Sequence, residues 1–332
     1  MHCPIDLGGG GGEVNLARPY AGLSPDLIED AVASVGFEPD GHLLALNSFE
    51  NRVYQVGVEP DAALPGRFLV GKFYRPGRWS DAAIAEEHAF TAELVAAELP
   101  VVAPLAHHGR SLHQHGGFRF ALFPRQGGRA PELEQVPVAE WLGRLLARLH
   151  NVGAERAFSE RQTIDTETLV WRPHLAALAS GLLPNALEDR YDALVSTAAD
   201  AIDDAFARVD PVLLRLHGDC HPGNVLWTDA GPHFVDLDDS RRGPAIQDLW
   251  MLMSGDVAQR EAMLAAYRTF RPLDPRELDL IAPLRLLRQI HYAGWIAERW
   301  GDPAFPAAFA HVASPAWWEG HLRDIAAALE TF

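Results

Sequence analysis

Between Val212 and Asp239 the chain carries three short apolar runs, Val212–Leu216, Val225–Trp227 and Phe234–Leu237, inside a half that otherwise reads as helix. The residues around them read Leu216-His217-Gly218-Asp219-Cys220-His221-Pro222-Gly223-Asn224 and Asp236-Leu237-Asp238-Asp239. Polar groups dense in carboxylates therefore sit at the ends of short strands, which a role in folding alone would not need.

The surroundings set the architecture. Val138, Trp141, Leu142, Leu145, Leu146 and Leu149 recur at i, i+3, i+4, i+7, i+8 and i+11, which predicts an amphipathic helix. Further helices are expected over about 185–208, 245–270, 275–300 and 316–330. Upstream the order is different. Ser24-Pro25-Asp26 opens a helix, with Ser24 as N-cap and Pro25 in the first turn. Strand-like runs follow at Val53–Val58 and Phe68–Tyr74, a helix over about 81–98 and a strand at Phe118–Phe123. Two prolines and two glycines between Pro124 and Pro131 mark a hinge. The expectation is an α+β, bilobal chain. Residues 1–20, with Gly8 to Gly12, form a flexible leader, 21–124 a small lobe of sheet plus helix, and 125–332 a larger, mostly helical lobe.

Composition narrows the function. The chain has 332 residues, and 28 Lys plus Arg stand against 45 Asp plus Glu, a net charge of −17. That balance argues against nucleic-acid and anionic-membrane partners, which need a basic face. Two cysteines, Cys3 and Cys220, imply no disulfide framework. Without a signal-like start or an apolar run of about 20 residues, the chain reads as a cytoplasmic protein, expected to act as a monomer.

The polar island suits phosphoryl transfer, which needs an oriented nucleophile and cations on the phosphates. Asp219 can take or orient the proton of an attacking hydroxyl. Asn224, five residues on, offers a hard amide oxygen, and Asp236 an anionic one; Mg²⁺ prefers a few such oxygens completed by phosphates and water. The Asp-x₄-Asn…Asp spacing matches the catalytic loop of protein kinases. Two other readings compete. The carboxylates could cap turns of a hairpin. His217, Asp219 and His221, with His233, could instead hold zinc or iron in a hydrolase. That second reading leaves Asn224 and Asp236 without a task.

Phosphoryl transfer from ATP asks for a strand lysine and a following helix carboxylate upstream. Lys72 lies in the run Val70-Gly71-Lys72-Phe73-Tyr74, and Glu86 and Glu87 lie in the next helix. A lone strand lysine is more often a snorkelling edge residue; its order here favours the functional reading. No glycine-rich flap precedes it. A polar turn at Leu46–Tyr54 takes that place, with Ser48 able to touch phosphates. Phe123-Pro124 ends a strand where an adenine would meet hinge backbone. Asp236 and Asp248 are only twelve residues apart, too close for a long activation segment. Tyr292 and Trp295 could line an acceptor groove, where Asp238 and Asp239 would suit a cationic acceptor.

The loop His217-Gly218-Asp219-Cys220-His221-Pro222-Gly223-Asn224 resembles that of the aminoglycoside phosphotransferase and choline kinase superfamily, which shares the protein-kinase-like fold. Leu46–Gln55, Lys72–Pro76 and Val235–Asp239, running on to Gln247-Asp248-Leu249-Trp250-Met251, resemble more closely the bacterial stress response kinases. The resemblance spans about residues 24–325. It implies an ATP-dependent Ser/Thr protein kinase using Mg²⁺, with a role in stress response and cell survival. In it Asp219 is the proton acceptor, Asn224 and Asp236 hold the metal and Ser48 contacts ATP. Glu87 is the better partner for Lys72, by its spacing to Pro100, with Glu86 left open. Asp248 braces the loop, and His217 stabilises it. Similar sites in the superfamily phosphorylate small alcohols, so an aminoglycoside, choline-like or amino-alcohol acceptor stays open beside a protein.

Overall fold

A computed structural model describes residues 18–61, 64 and 66–332. The glycine tract and nearly all of the expected leader lie outside the described residues.

The first layers contain the helices and the three strands that the sequence predicts, with two further strands. Helix α1 (Pro25–Ser34) starts where the Ser24 hydroxyl accepts the Leu27 amide, and it buries Ile28, Ala31 and Val32. Strands β1 (Pro39–Leu46), β2 (Arg52–Val58), β3 (Phe68–Phe73), β4 (His113–His115) and β5 (Phe118–Pro124) make one antiparallel sheet in the order β1-β2-β3-β5-β4. Helix α2 (Asp81–Ala96) enters between β3 and β4, capped by Ser80. Strand alternation divides the sheet's faces. Leu69 and Phe73 of β3 join Phe118, Phe120 and Leu122 of β5 under α1. Ala121 packs on the opposite side with Ile84 of α2, and Lys72 stands opposite Ala121 in register. The pleat therefore carries Lys72 away from the apolar face. The stacked Phe73 and Phe120 rings, both fully buried, contribute about 1.5–3 kcal/mol each.

β1 and β4 were not anticipated. β1 is an edge strand, largely exposed, and Leu43-Leu44-Ala45-Leu46 has no alternation to betray it. β4 is three residues long.

The remainder is helical around one large core. It comprises α3 (Val136–Ala154), a π-helical turn at Glu167–Trp171 leading into α4 (Arg172–Ala179), and α5 (Glu188–Val209). The expected helix over 245–270 is two helices, α6 (Ile246–Trp250) and α7 (Val257–Arg268). Asp256 caps α7 by accepting the Gln259 amide, and Gly255 precedes it, so the local signals to stop and restart outweigh the apolar periodicity. The expected helix over 275–300 opens as a 3₁₀ segment before α8 (Ile281–Glu298). Short α9 (Ala304–Ala308) and α10 (Pro315–Leu329) close the chain. α4 and α8 cross closely because a β-carbon at Gly294 would stand 2.2 Å from the Pro173 carbonyl oxygen.

The island is built on this body as two small pairs. β6 (Leu214–Arg215) pairs with β9 (Arg242–Gly243), and β7 (Val225–Thr228) with β8 (Gly231–Phe234). A 3₁₀ turn, Leu237–Asp239, takes the place of the strand end expected there. Among the described residues no helix is long and apolar enough to cross a membrane.

Candidate active site

The loop from His217 to Asn224 is held from α6. Asp248, fully buried, accepts the His217 amide at 2.8 Å, the Gly218 amide at 2.9 Å and the His150 ring at 3.1 Å. Its neighbour Gln247 donates to the Gly218 carbonyl at 3.0 Å. Gly218 has φ +87°, and a β-carbon there would meet the Asp239 carbonyl oxygen at 2.1 Å. Any other residue would push the two polar segments of the island apart. The His217 ring lies 3.0 Å from the Val235 carbonyl, and Asn224 Nδ2 donates to the Asp219 carbonyl at 3.0 Å. That bond uses the Asn224 amide nitrogen and not its Oδ1.

Asp219 faces the cleft from this loop. Arg288 of α8 donates to its Oδ1 at 2.6 Å, and His221 Nε2 stands 3.5 Å from Oδ2. Burial pushes the Asp219 carboxyl up, but the His221 hydrogen bond and the Arg288 charge outweigh it and hold the group below the usual carboxylate range. Asp219 is thus an ionised acceptor near neutral pH.

Asp236 follows β8 with left-handed backbone, φ 59° and ψ 63°. Asp tolerates this conformation better than most residues. Its side chain is half exposed and accepts Lys72 Nζ at 2.7 Å. Lys72 also lies 3.3 Å from Asp238. Burial would push its ammonium down; the Asp236 and Asp238 carboxylates more than offset that and raise it well above the usual lysine value.

The helix carboxylates divide. Glu86 accepts the backbone amides of Ser159, Glu160 and Arg161, fixing the segment after α3. Glu87 is buried and meets Arg161 at 3.4 Å, rather than forming the expected ion pair with Lys72. It still senses the Lys72 charge; burial, opposed by Lys72 and Arg161, pushes its carboxyl up to about 7.

Asp238 and Asp239 overturn the expectation of an acidic acceptor wall. Asp238 is 3% exposed and is engaged by Arg78, Lys72 and Asn51. Burial raises its carboxyl, but Arg78 and Lys72 prevail and hold it at about 2. Asp239 pairs with Arg78 at 2.7 Å and Arg241 at 3.3 Å. Asp238 is closed to a cationic ligand, and the two arginines on Oδ1 offset the charge that Asp239 would offer one. Sequence reading missed Arg78, Arg161 and Arg288, because a single arginine carries no local signal of which distant carboxylate it will meet.

The polar turn between β1 and β2 is anchored across the molecule. Phe49 packs against Phe309 and Phe305, with ring centroids 5.0 and 6.4 Å apart. Glu50 receives Trp295 Nε1 at 2.6 Å and Arg299 Nε at 2.7 Å, and Arg75 lies 3.0 Å away. Arg52 and Arg75 both reach Asp302, at 3.0 and 2.7 Å.

These groups enclose one cavity of about 1170 Å³. Ser48, Lys72, Glu87, Phe123, Asp219, Asn224 and Asp236 all line it. His217 and Asp248 lie behind its wall. Val53, Val70, Val102 and Leu226 join Phe123 in lining it, an apolar set suited to a base ring. Ser240, in the short span between Asp236 and Asp248, is fully buried. The competing zinc or iron centre fails on geometry. His217 is spent on a carbonyl and His221 Nδ1 accepts the Gly223 amide. Among the described residues no three His, Cys, Asp or Glu side chains converge as a metal-holding group.

Comparison with known proteins gives the family. Residues 42–281 match the phosphotransferase enzyme family. The chain is 44% identical over 307 residues to the serine/threonine protein kinase RdoA of Salmonella typhimurium, covering 91% of this chain and 92% of the relative. It is 43% identical over 320 residues to stress response kinase A of Escherichia coli K12, covering 95% and 94%. Among solved structures it resembles an amicoumacin kinase in complex with AMP-PNP and Ca²⁺, with a TM-score of 0.65 at 18% identity, covering 85% of this chain and 90% of that one. That likeness establishes the protein-kinase-like fold. The chain belongs to the phosphotransferase enzyme family and is a kinase that takes ATP as its co-substrate.

Proposed function

We propose that the chain is a Ser/Thr protein kinase of the bacterial stress response, using Mg²⁺-ATP in the cytoplasm, with Asp219 as the proton acceptor. The observation that carries this is the convergence of Asp219, Asn224, Asp236 and Lys72 on one cavity, in a chain 44% identical to a serine/threonine protein kinase. Asn224 Oδ1 and the Asp236 carboxylate would hold Mg²⁺, whose role is to neutralise phosphate charge. Two protein oxygens suffice, since Mg²⁺ keeps phosphates and water as its other ligands. Lys72 supplies a fixed positive charge for phosphate oxygens, and Ser48 lines the same cavity. Phe123 and its apolar neighbours bound the slot for adenine.

In the reaction the acceptor hydroxyl donates a hydrogen bond to Asp219. Its oxygen forms a bond to the γ-phosphorus as the bridging oxygen–phosphorus bond of ATP breaks, and ADP leaves. The proton passes to Asp219, which His221 and Arg288 keep ionised and oriented beforehand. The neutralisation of Asp238 and Asp239 by arginines favours a protein acceptor over a choline-like or aminoglycoside cation.

The test is transfer of labelled phosphate from Mg²⁺-ATP to a panel of protein substrates, aminoglycosides, choline and homoserine, with autophosphorylation scored beside them. The expected outcome is labelling of protein. Asp219→Ala should retain nucleotide binding and lose transfer by roughly 10²–10⁴-fold. Transfer to the small alcohols alone would refute the protein-kinase reading, and unchanged transfer by the variant would refute the assigned base.

A further inference from the structure

Arg288 stands where an acceptor must approach. It projects from α8 with its side chain 46% exposed, and its guanidinium donates to the Asp219 carboxylate at 2.6 Å. The other arginines of this wall have carboxylate partners that take no proton in the reaction. Arg172 pairs with Glu298, Arg299 with Glu298 and Glu50, Arg241 with Asp239, and Arg78 with Asp238 and Asp239. Arg288 differs, because its partner is the group that accepts the proton. As Asp219 becomes neutral, Arg288 loses its counter-charge next to the reacting hydroxyl.

The cavity also continues past this residue. Arg288 and Tyr292 line both the main cavity and a second groove of about 700 Å³ between α8 and α10, with Arg285, Gln289, Trp317 and Asp324. Arg285, Arg288 and Tyr292 are spaced i, i+3 and i+7, so they share one face of α8, and all three are exposed. Arg285 lies over the Trp250 ring at 5.4 Å, held near the groove and still open to solvent. A small alcohol would end inside the main cavity and leave this track unused. A polypeptide would run out along it.

We propose, building on the kinase reading, that the acceptor is a polypeptide segment with an acidic residue flanking its Ser or Thr, and that Arg288 is the specificity-determining residue. The flanking carboxylate takes Arg288 as the hydroxyl engages Asp219, and the chain continues along the Arg285–Tyr292 face. A basic residue at the same place meets an unpaired guanidinium and is rejected.

The experiment uses the full chain with Mg²⁺-ATP and three peptides identical except for Glu, Gln or Lys flanking one serine. The wild type should favour the Glu over the Lys peptide by at least tenfold in kcat/KM. Arg288→Glu should reverse that order, and Arg288→Lys should keep it. Arg285→Ala should raise KM for the Glu peptide with kcat little changed. Equal loss on all three peptides in Arg288→Glu would overturn the proposal, assigning Arg288 to the phosphoryl group or to structure alone. A wild type that labels every peptide equally overturns it while the kinase reading stands. One that labels no peptide and no protein, but labels an amino alcohol, overturns both.

Discussion

The Asp219 loop and the β1–β2 turn line one cleft but are braced over very different spans of chain. Asp248 holds the loop from 30 and 31 residues away, through two buried amides and the His150 ring. The turn is held by Trp295 and Asp302, 245 and 250 residues beyond their partners Glu50 and Arg52. The loop is therefore preorganised within the helical body, whereas the turn is positioned only when sheet and helices meet. Placement of Asp219 should follow local integrity; placement of Ser48 should follow the ion network between the turn and the C-terminal helices.

The largest effect that sharpens this contrast is expected at Asp248. Asp248→Ala leaves the His217 and Gly218 amides and the His150 ring without their buried acceptor, at a cost of about 3 kcal/mol or more. Denaturant unfolding should show that loss, together with a fall in kcat. Stability equal to wild type would mean that the loop is not braced from α6.

A smaller effect is expected at the turn. Asp302→Ala frees Arg52 and Arg75, and should raise KM for ATP several-fold with less change in kcat. A double-mutant cycle between Arg75 and Asp302 should give a coupling of about 1–3 kcal/mol, because both side chains are buried. Zero coupling would make the turn an ordinary hairpin and dissolve the comparison.

The smallest effect concerns pH. Asp219 lies below the usual carboxylate range, so under the proposed mechanism it should serve as base into moderately acidic solution and lose that role only as pH falls through its lowered value. Arg288→Gln removes one of the two groups holding it down. The acidic limb of kcat/KM should then move to higher pH, measured with a neutral-flanked acceptor. A shift to lower pH, or none, would assign the lowering to His221 alone.

What could be read in advance follows the same division. That Asp219, Asn224 and Asp236 line one cavity was legible because one tight loop and the next strand end carry them. Lys72 was legible as a polar residue in an alternating strand, and the pleat turns it away from Leu69 and Phe73. Its partner was not. Helical spacing left Glu86 and Glu87 both open, and Lys72 meets Asp236 and Asp238 instead. The break between α6 and α7 was obscured by apolar periodicity that runs through Gly255 and Asp256. The edge strand β1 gave no alternation to detect.

By itself the sequence determined which chemistry this protein can perform, because phosphoryl transfer needs a few side chains at short spacings that local backbone enforces. Only the tertiary structure decided the charge an acceptor meets. Asp238 and Asp239 looked like free carboxylates until Arg78, Lys72 and Arg241 closed on them, and Arg288 had no partner in sequence before α8 carried it to Asp219. Net charge is a sum over residues. The field inside a cleft depends on which charges burial brings within a few ångströms of each other, and packing alone sets those distances.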